Sequence, residues 1–391
     1  MRIKHRANTG NTNSMTEGRL FIVSIGVFAF AGAVCAETCA RQGLEFSGYM
    51  YADIGAFSYL PGGGEDSSVF SGTTVFDTRF MNVNRSHAKV EGDFEAVLPY
   101  GAAAHWYTAG LRLNSTDSVT QKVEQTLARY FELSGNGKTP LVLDMRKLYL
   151  EAYLPFADIA VGRQIINFGK GLIFSPIDAF STVQIMDLNF RRNGSDVANA
   201  HIPLGDLTGI DCIVEAPFGN NEHSSAAKLF TTVAGWDVSM VGLYRHLSGE
   251  GVAGFAFKGD AVAGLYGELV EHIIKGIDDR YFECMMGADY SIHRIWFFNA
   301  EYYYNDRPAA VPSLWGRNNT YVSVQFAPNE LMRLSVIGLY QFEERRTIGM
   351  LAWQYNLLQN ADLTVYMRGY DNMQGIGAPD LQYAARIEVK F

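Results

Sequence analysis

The chain ends Leu381-Gln382-Tyr383-Ala384-Ala385-Arg386-Ile387-Glu388-Val389-Lys390-Phe391. Every second residue here, Leu381, Tyr383, Ala385, Ile387, Val389 and Phe391, is apolar, and Gln382, Arg386, Glu388 and Lys390 fall between them. A period of two puts one set on each face of a β-strand, whereas helix faces recur every ~3.6 residues. The same alternation runs back through the chain. Leu363, Val365 and Met367 alternate with Thr364, Tyr366 and Arg368; Met332, Leu334, Val336, Gly338, Tyr340 and Phe342 alternate with Arg333 and Ser335. Trp296, Phe298, Ala300, Tyr302 and Tyr304 alternate with Phe297, Asn299, Glu301 and Tyr303. Ala88, Val90, Gly92, Phe94, Ala96 and Leu98 alternate with Lys89, Glu91, Asp93 and Glu95.

These runs are mostly ten residues or more, the reach of a tilted membrane-spanning strand (about 9–11), whereas soluble strands average about 5–6. Sixteen are predicted: 44–59, 86–98, 102–113, 140–154, 158–168, 207–217, 226–245, 251–258, 261–271, 280–290, 295–305, 319–327, 331–342, 345–357, 361–371 and 381–391. The count rises to eighteen if 169–206 conceals another strand. Segment 226–245 reads as one strand because Phe230, Thr232, Ala234, Trp236, Val238, Met240 and Tyr244 keep one phase. Short connections (Pro99-Tyr100-Gly101, Pro155-Phe156-Ala157, Pro217-Phe218-Gly219, Lys258-Gly259-Asp260, Ser291–Arg294, Pro328–Glu330, Leu358–Asn360) alternate with long ones at 60–85, 114–139, 169–206, 306–318 and 372–380. Tight turns on one rim and long loops on the other describe an all-β transmembrane antiparallel barrel. Closure also pairs every backbone group and leaves no edge in lipid.

The ending on Phe391, in phase with Tyr383, Ile387 and Val389, resembles the terminal-strand signal of bacterial outer-membrane proteins. That resemblance implies recognition by the barrel-assembly machinery, an outer-membrane location in a Gram-negative-type envelope, short periplasmic turns and long extracellular loops. A second stretch, Gly162-Arg163-Gln164-Ile165-Ile166-Asn167-Phe168-Gly169, continues through Gly171 to Ser175-Pro176-Ile177-Asp178-Ala179-Phe180. It resembles, over some 30 residues, a segment of porin-like barrels related to the alginate-export channels, and implies a channel without naming a solute.

At the other end, Leu20 to Val34 is the one continuously apolar stretch, preceded by Lys4, Arg6 and Arg19 and followed by Val34-Cys35-Ala36. It is short for a spanning helix, which needs about 20 residues, and the order of charge, apolar run and small residues reads as a secretory signal over 1–36. The barrel is then 37–391. Without the signal the charge of −9 becomes −12, which together with the lack of a long basic run argues against nucleic acid as a partner. Cys39, Cys212 and Cys284 would remain, an odd number at irregular spacing, so no disulfide framework is expected. Charged residues make up only 19% and aromatics 13%, as suits a wall that meets lipid.

In a barrel the charged face of each strand must line the lumen, because Arg or Lys at mid-bilayer costs roughly 2–4 kcal/mol each. The lumen set is Lys89, Glu91, Asp93, Glu95, Arg112, Lys147, Glu151, Arg163, Asp211, Glu215, Asp237, Arg245, Glu268, Glu283, Asp289, Glu301, Arg333, Arg368, Arg386, Glu388 and Lys390. Nine of these are positive and twelve negative, which predicts a wet lumen with at most slight cation preference and argues against an anionic polysaccharide. Loop 169–206 is long enough to fold inward and narrow the pore. Arg163, Asp178, Asp187, Arg191 and Arg192 are candidate residues near the constriction, and Arg112, Glu301, Arg333 and Arg368 are candidate pore-lining residues. Val119, Val123, Leu127, Tyr130 and Phe131 in loop 114–139 have helical spacing and suggest a short helix at the mouth.

No catalytic or metal motif and no cofactor site is evident. Gly135-Asn136-Gly137-Lys138-Thr139 resembles half a phosphate loop, but Glu132 occupies the position where the first glycine belongs. Ser195, His201 and Asp206 could form a hydrolase site only if the long loop brought them together. The expectation is therefore a non-enzymatic porin for passive diffusion of small polar solutes. The alternatives are a closed or gated barrel acting in surface display or adhesion, and, behind that, a barrel hydrolase. Lipid and assembly machinery are the expected partners, and the outer aromatics could equally serve neighbouring subunits in a homo-oligomer.

Overall fold

The computed structural model describes residues 43–58, 69–82, 87–101, 103–104, 129–132, 140–181, 183, 188, 190–216, 223–274, 280–307, 315–371 and 381–391. The predicted signal at 1–36 lies outside them, as do most of the predicted helix at 114–139 and the Gly135–Thr139 stretch. Nineteen strands form one antiparallel sheet. In chain order they are β1 (Leu44–Ser58), β2 (Val69–Asn82), β3 (Ala88–Gly101), β4 (Arg129–Glu132), β5 (Pro140–Tyr153), β6 (Asp158–Gln164) and β7 (Ser195–Gly205). There follow β8 (Thr208–Glu215), β9 (Ser224–Val233), β10 (Trp236–Arg245), β11 (Glu250–Asp260), β12 (Gly264–Ile274) and β13 (Arg280–Ile292). The last six are β14 (Trp296–Asn305), β15 (Asn318–Asn329), β16 (Met332–Gln341), β17 (Arg346–Leu358), β18 (Ala361–Asp371) and β19 (Leu381–Lys390).

Strands β1 and β19 pair over ten residues, from Tyr49–Lys390 to Ser58–Leu381, and so close the ring. Phe391 extends the seam: its N–H donates to Gly48 O and its carbonyl accepts from Gly48 N, each at 3.0 Å. Its ring stacks with Phe76 and Phe46 at 5.7 and 6.5 Å. The ring contains eighteen strands rather than sixteen, because β4 pairs only with the upper part of β5, above the end of β6.

Four corrections to the predicted strands produce that total. Loop 60–85 contains β2, and loop 169–206 contains β7. The predicted strand 226–245 is a hairpin, with Ala234 and Gly235 at φ of 52° and 81°. Positive φ at both central residues is the turn whose twist matches paired strands. Of the predicted strand 102–113, Ala103 and Ala104 are helical and the rest is not described. Pro99-Tyr100-Gly101 is not a turn but the end of β3, where β2 is its partner and pairing with β5 has stopped at Val97. A proline is tolerated there because it has no second neighbour to bond. Likewise Lys258-Gly259-Asp260 ends β11, and Tyr130 and Phe131 belong to β4 rather than to a helix.

With eighteen strands the rims sort cleanly. Connections 83–87, 154–157, 206–207, 234–235, 261–263, 293–295, 330–331 and 359–360 lie on one rim. Those at 59–68, 102–139, 165–194, 216–223, 246–249, 275–279, 306–317, 342–345 and 372–380 lie on the other, so Pro217-Phe218-Gly219 belongs to the long-loop rim.

Burial is inverted relative to a water-soluble protein. Met240, Val161, Val214, Leu150, Met286 and Val336 are each about half exposed or more, and all point outward. Asp77, Glu91, Asp93, Glu250, Glu268, Glu283, Glu301, Arg368 and Arg386 are buried on the inner face. So large an apolar exterior with the charges enclosed is the pattern of a wall that faces lipid.

Candidate functional site

The barrel interior is crossed by the described part of the segment between β6 and β7, residues 165–181, 183, 188 and 190–194. Its entry is set by Gly162, whose φ is 128° and where a Cβ would lie 2.3 Å from the Leu148 carbonyl oxygen. A side chain there would meet backbone that cannot yield.

Two buried carboxylates on the inner wall hold the segment. On β12, Glu268 (0% exposed) accepts hydrogen bonds from the backbone N–H of Lys170 (2.6 Å), Gly171 (3.0 Å) and Ile177 (3.1 Å) and from Ser175 Oγ. On β14, Glu301 accepts from the N–H of Leu172 (2.5 Å), Ile173 (3.0 Å) and Phe174 (3.0 Å), and from Tyr266 Oη (3.0 Å). A carboxylate removed from water needs such donors, and each charged hydrogen bond contributes about 1.5–3 kcal/mol. The Gly-Lys-Gly-Leu-Ile-Phe run is thus a string of amides wrapped around two anions.

At its other end the segment reaches the opposite wall. Arg191 donates to Tyr49 Oη at 2.8 Å and pairs with Glu95 of β3. β13, which lies between the two anchoring glutamates' strands, is nine strands from β3 in either direction around the ring. Residues 165–194 therefore form a strut across the barrel. Asp178 pairs with Arg192 and accepts from Phe168 N at 3.0 Å, tying the strut to itself. Burial pushes the Asp178 carboxyl up to about 6, against the opposing pull of Arg192 and the Phe168 amide.

Apolar packing fills one side. Ile166, Phe168, Ile177 and Phe180 pack with Val197, Ile213, Ala226, Val241, Leu243, Val252, Ala256 and Val270 of β7–β12. Ile173 and Phe174 pack with Tyr266, Met285, Tyr303, Tyr321 and Leu339 of β12–β16. On β18, β19 and β1 the inner face is polar instead. Arg386 makes a two-pronged pair with Asp53 across the seam, at 2.7 and 2.8 Å, and lies 3.7 Å above the Tyr51 ring.

Of the residues singled out in the sequence, Asp178 and Arg192 pair with each other, Glu301 seats Leu172–Phe174, and Arg191 lies at the opposite wall against Glu95. Arg163 stands apart: it is the penultimate residue of β6, on the phase of Ile159 and Val161, and bonds Asp196 and the Met145 carbonyl. Arg368 and Arg333 face the lumen from β18 and β16. Arg368 bonds Tyr370 Oη (3.2 Å) and Met350 Sδ, and has no carboxylate partner among the described residues. Arg333 has none either, and borders a polar cavity of about 570 Å³ with Gln354, Asn356, Asp362 and Lys390 at the short-turn rim. Arg112 and Asp187 lie outside the described residues.

Sequence reasoning misses Arg146. A bulge between Asp93–Lys147 and Phe94–Met145 turns Arg146 and Lys147 inward together. Arg146 meets Asp77 at 3.0 Å, Asp93 at 3.8 Å and Glu95 at 4.0 Å. The imagined hydrolase constellation does not assemble. Ser195 and His201 sit six residues apart on β7, about 20 Å, and His201 Nδ1 pairs with Asp211 at 2.7 Å instead.

No family model matches this sequence, and no curated protein matches it. Among solved structures the barrel is similar to OccAB4 of Acinetobacter baumannii. The TM-score is 0.55 at 7% identity, over 89% of this chain and 98% of that one. The chain has a porin-type fold. OmpF of Salmonella typhi, solved with daunomycin, gives a TM-score of 0.47 at 12% identity over 90% of this chain and 99% of that one. A Rh. blastica porin variant gives 0.45 at 8% identity over 89% of this chain and 100% of that one.

Proposed function

We propose that the protein is a channel of the bacterial outer membrane through which small polar solutes diffuse passively, with the strut 165–194 narrowing its lumen. The observation that carries this reading is the strut itself: anchored on Glu268 and Glu301 at one wall and on Glu95 at the other, it leaves the polar β18–β19–β1 arc as the route for solute. About eighteen strands enclose an aqueous lumen, whereas about eight leave room only for side chains. The resemblance of 162–180 to the alginate-export channels points the same way. The long-loop rim is extracellular in this reading.

Pairing changes the charge preference expected from counting. Asp53, Asp77, Glu91 and Glu95 each face a basic partner, while Arg333 and Arg368 have no acidic partner among the described residues. The field along the route is accordingly positive, and weakly anionic solutes pass more readily than the tally of nine against twelve suggests.

Liposome swelling tests the function. Vesicles holding the folded protein should swell in sugars at rates that fall with solute size. Arg368→Gln should slow small carboxylates and leave neutral sugars unchanged. Swelling no faster than protein-free vesicles would reject the channel and favour a closed, surface-displaying barrel.

A further inference from the structure

Near the long-loop rim a second polar cluster is buried in the wall, away from the strut's anchors. His272 of β12 is 2% exposed. Its Nδ1 lies 2.6 Å from Glu250 Oε1 on β11, and its Nε2 lies 3.8 Å from Glu283 Oε1 on β13 without a hydrogen-bond partner. Tyr281 of β13 stacks on the imidazole at 4.1 Å and donates to Glu250 Oε1 at 2.9 Å. Arg245 of β10 pairs with Glu250, and Tyr303 of β14 donates to Glu283 Oε2 at 3.0 Å. The last member, Arg307, belongs to the connection after β14. It bonds Glu283 Oε1 at 2.7 Å and lies 4.9 Å from the Tyr281 ring.

The tautomer follows from the geometry. A carboxylate can only accept, so Nδ1 carries the hydrogen and the neutral ring turns its Nε2 lone pair towards Glu283. Two carboxylates and two guanidinium groups then balance. A proton arriving at Nε2 makes the imidazole a donor to Glu283 Oε1, the same oxygen that holds Arg307. It also leaves three positive groups against two negative in a buried site. Arg245 and His272 are built into strands; Arg307 is the member on a connection.

We propose that His272 is an acid-sensitive switch that exchanges partners on Glu283. With Nε2 unprotonated Glu283 holds Arg307; with Nε2 protonated, Glu283 turns to His272 and Arg307 is released. The imidazole is suited to this because its Nε2, buried and unpartnered, becomes a hydrogen-bond donor on gaining a proton. The release would be felt locally. Arg307 N donates to Asn305 Oδ1 at 2.7 Å, Asn305 N to Arg317 O at 2.9 Å and Asp306 N to Phe282 O at 3.1 Å. Trp315, at the far end of the same connection, packs edge-on against Phe174 of the strut at 4.9 Å.

Hydrogen exchange of the full-length folded protein tests the proposal without any reference to conduction. Exchange at Asn305, Asp306 and Arg307, corrected for the intrinsic effect of pH, should be at least about tenfold faster at pH 5 than at pH 7.5. His272→Gln should abolish that step, since glutamine gains no charge. Glu283→Gln removes the negative charge that holds Arg307 and should give fast exchange at both pH values. Equal wild-type protection at the two pH values would overturn the switch, and so would a pH step that persists in His272→Gln.

Discussion

Glu268 has no cation among its bonded partners and no access to water, so its charge rests on the amides of the strut. Removing that charge should loosen the seat. Glu268→Gln and Glu301→Gln each turn a carboxylate oxygen into a donor facing donors, at about 1.5–3 kcal/mol per hydrogen bond lost. Exchange at the amides of 170–177 should accelerate by about tenfold or more in either variant. Asp178 responds in a definite direction to pH. Its folded carboxyl is raised to about 6 by burial, so the folded state holds the proton more tightly than the unfolded chain does. Stability should fall as pH rises from the ordinary carboxylate range through about 6, and Asp178→Asn should flatten that part of a urea-midpoint profile. At this scale the alternation placed Glu301, Arg368 and Glu268 on the correct face, because parity is all that a straight strand requires. Arg146 was invisible: a bulge breaks parity, and nothing in Asp144-Met145-Arg146-Lys147 announces one. Glu268 was legible as a lumen residue, but its role as an anchor depends on amides nearly a hundred residues earlier in the chain.

Among the elements, the hairpin at Ala234-Gly235 shows how phase reasoning fails. Lys228 faces inward at an even position and Arg245 at an odd one, so the inward parity switches between them. A two-residue turn does this; an uninterrupted strand cannot. The aromatic run through Trp236 hid the switch, because Phe230 faces the lumen and Trp236 the exterior. Ala234 holds a left-handed conformation that costs an L-residue about 1 kcal/mol. Ala234→Gly should therefore raise the unfolding free energy by up to about 1 kcal/mol, read as an increased urea midpoint in vesicles. Strands β2 and β7 escaped for a different reason. The outward residues of β7 include Ala198 and Ala200, too small to register as an apolar face, and in β2 Gly72, Thr74 and Thr78 interrupt the outward series of Phe70, Phe76 and Phe80. The seam between β1 and β19 carries its own prediction. Arg386→Ala leaves Asp53 facing the lumen wall without its partner, a loss of about 3–5 kcal/mol for a buried pair. The variant should lose its heat-resistant folded band on unboiled gels at a lower temperature than the wild type.

For the whole molecule, fold class was readable because lipid outside and water inside impose one rule on every strand. The total of strands was less so, since two weak strands, one hidden turn and one misplaced strand each shift the count. What composition cannot reveal is pairing. Nine positive and twelve negative residues describe a mildly acidic lumen, yet most of the acids are spent on arginines, lysines and the amides of a strut. In the proposed reading the strut would turn an eighteen-stranded barrel into an eccentric passage, and its anchors are the point at which that proposal is most exposed. Planar-bilayer recording of single molecules tests it directly. Wild type should give stable ohmic steps, and Glu268→Gln combined with Glu301→Gln should give larger or fluctuating steps as the strut leaves its seat. Identical conductance in the two proteins would contradict a lumen narrowed by residues 165–194, and silence in both, with the β-rich folded state confirmed, would contradict a channel.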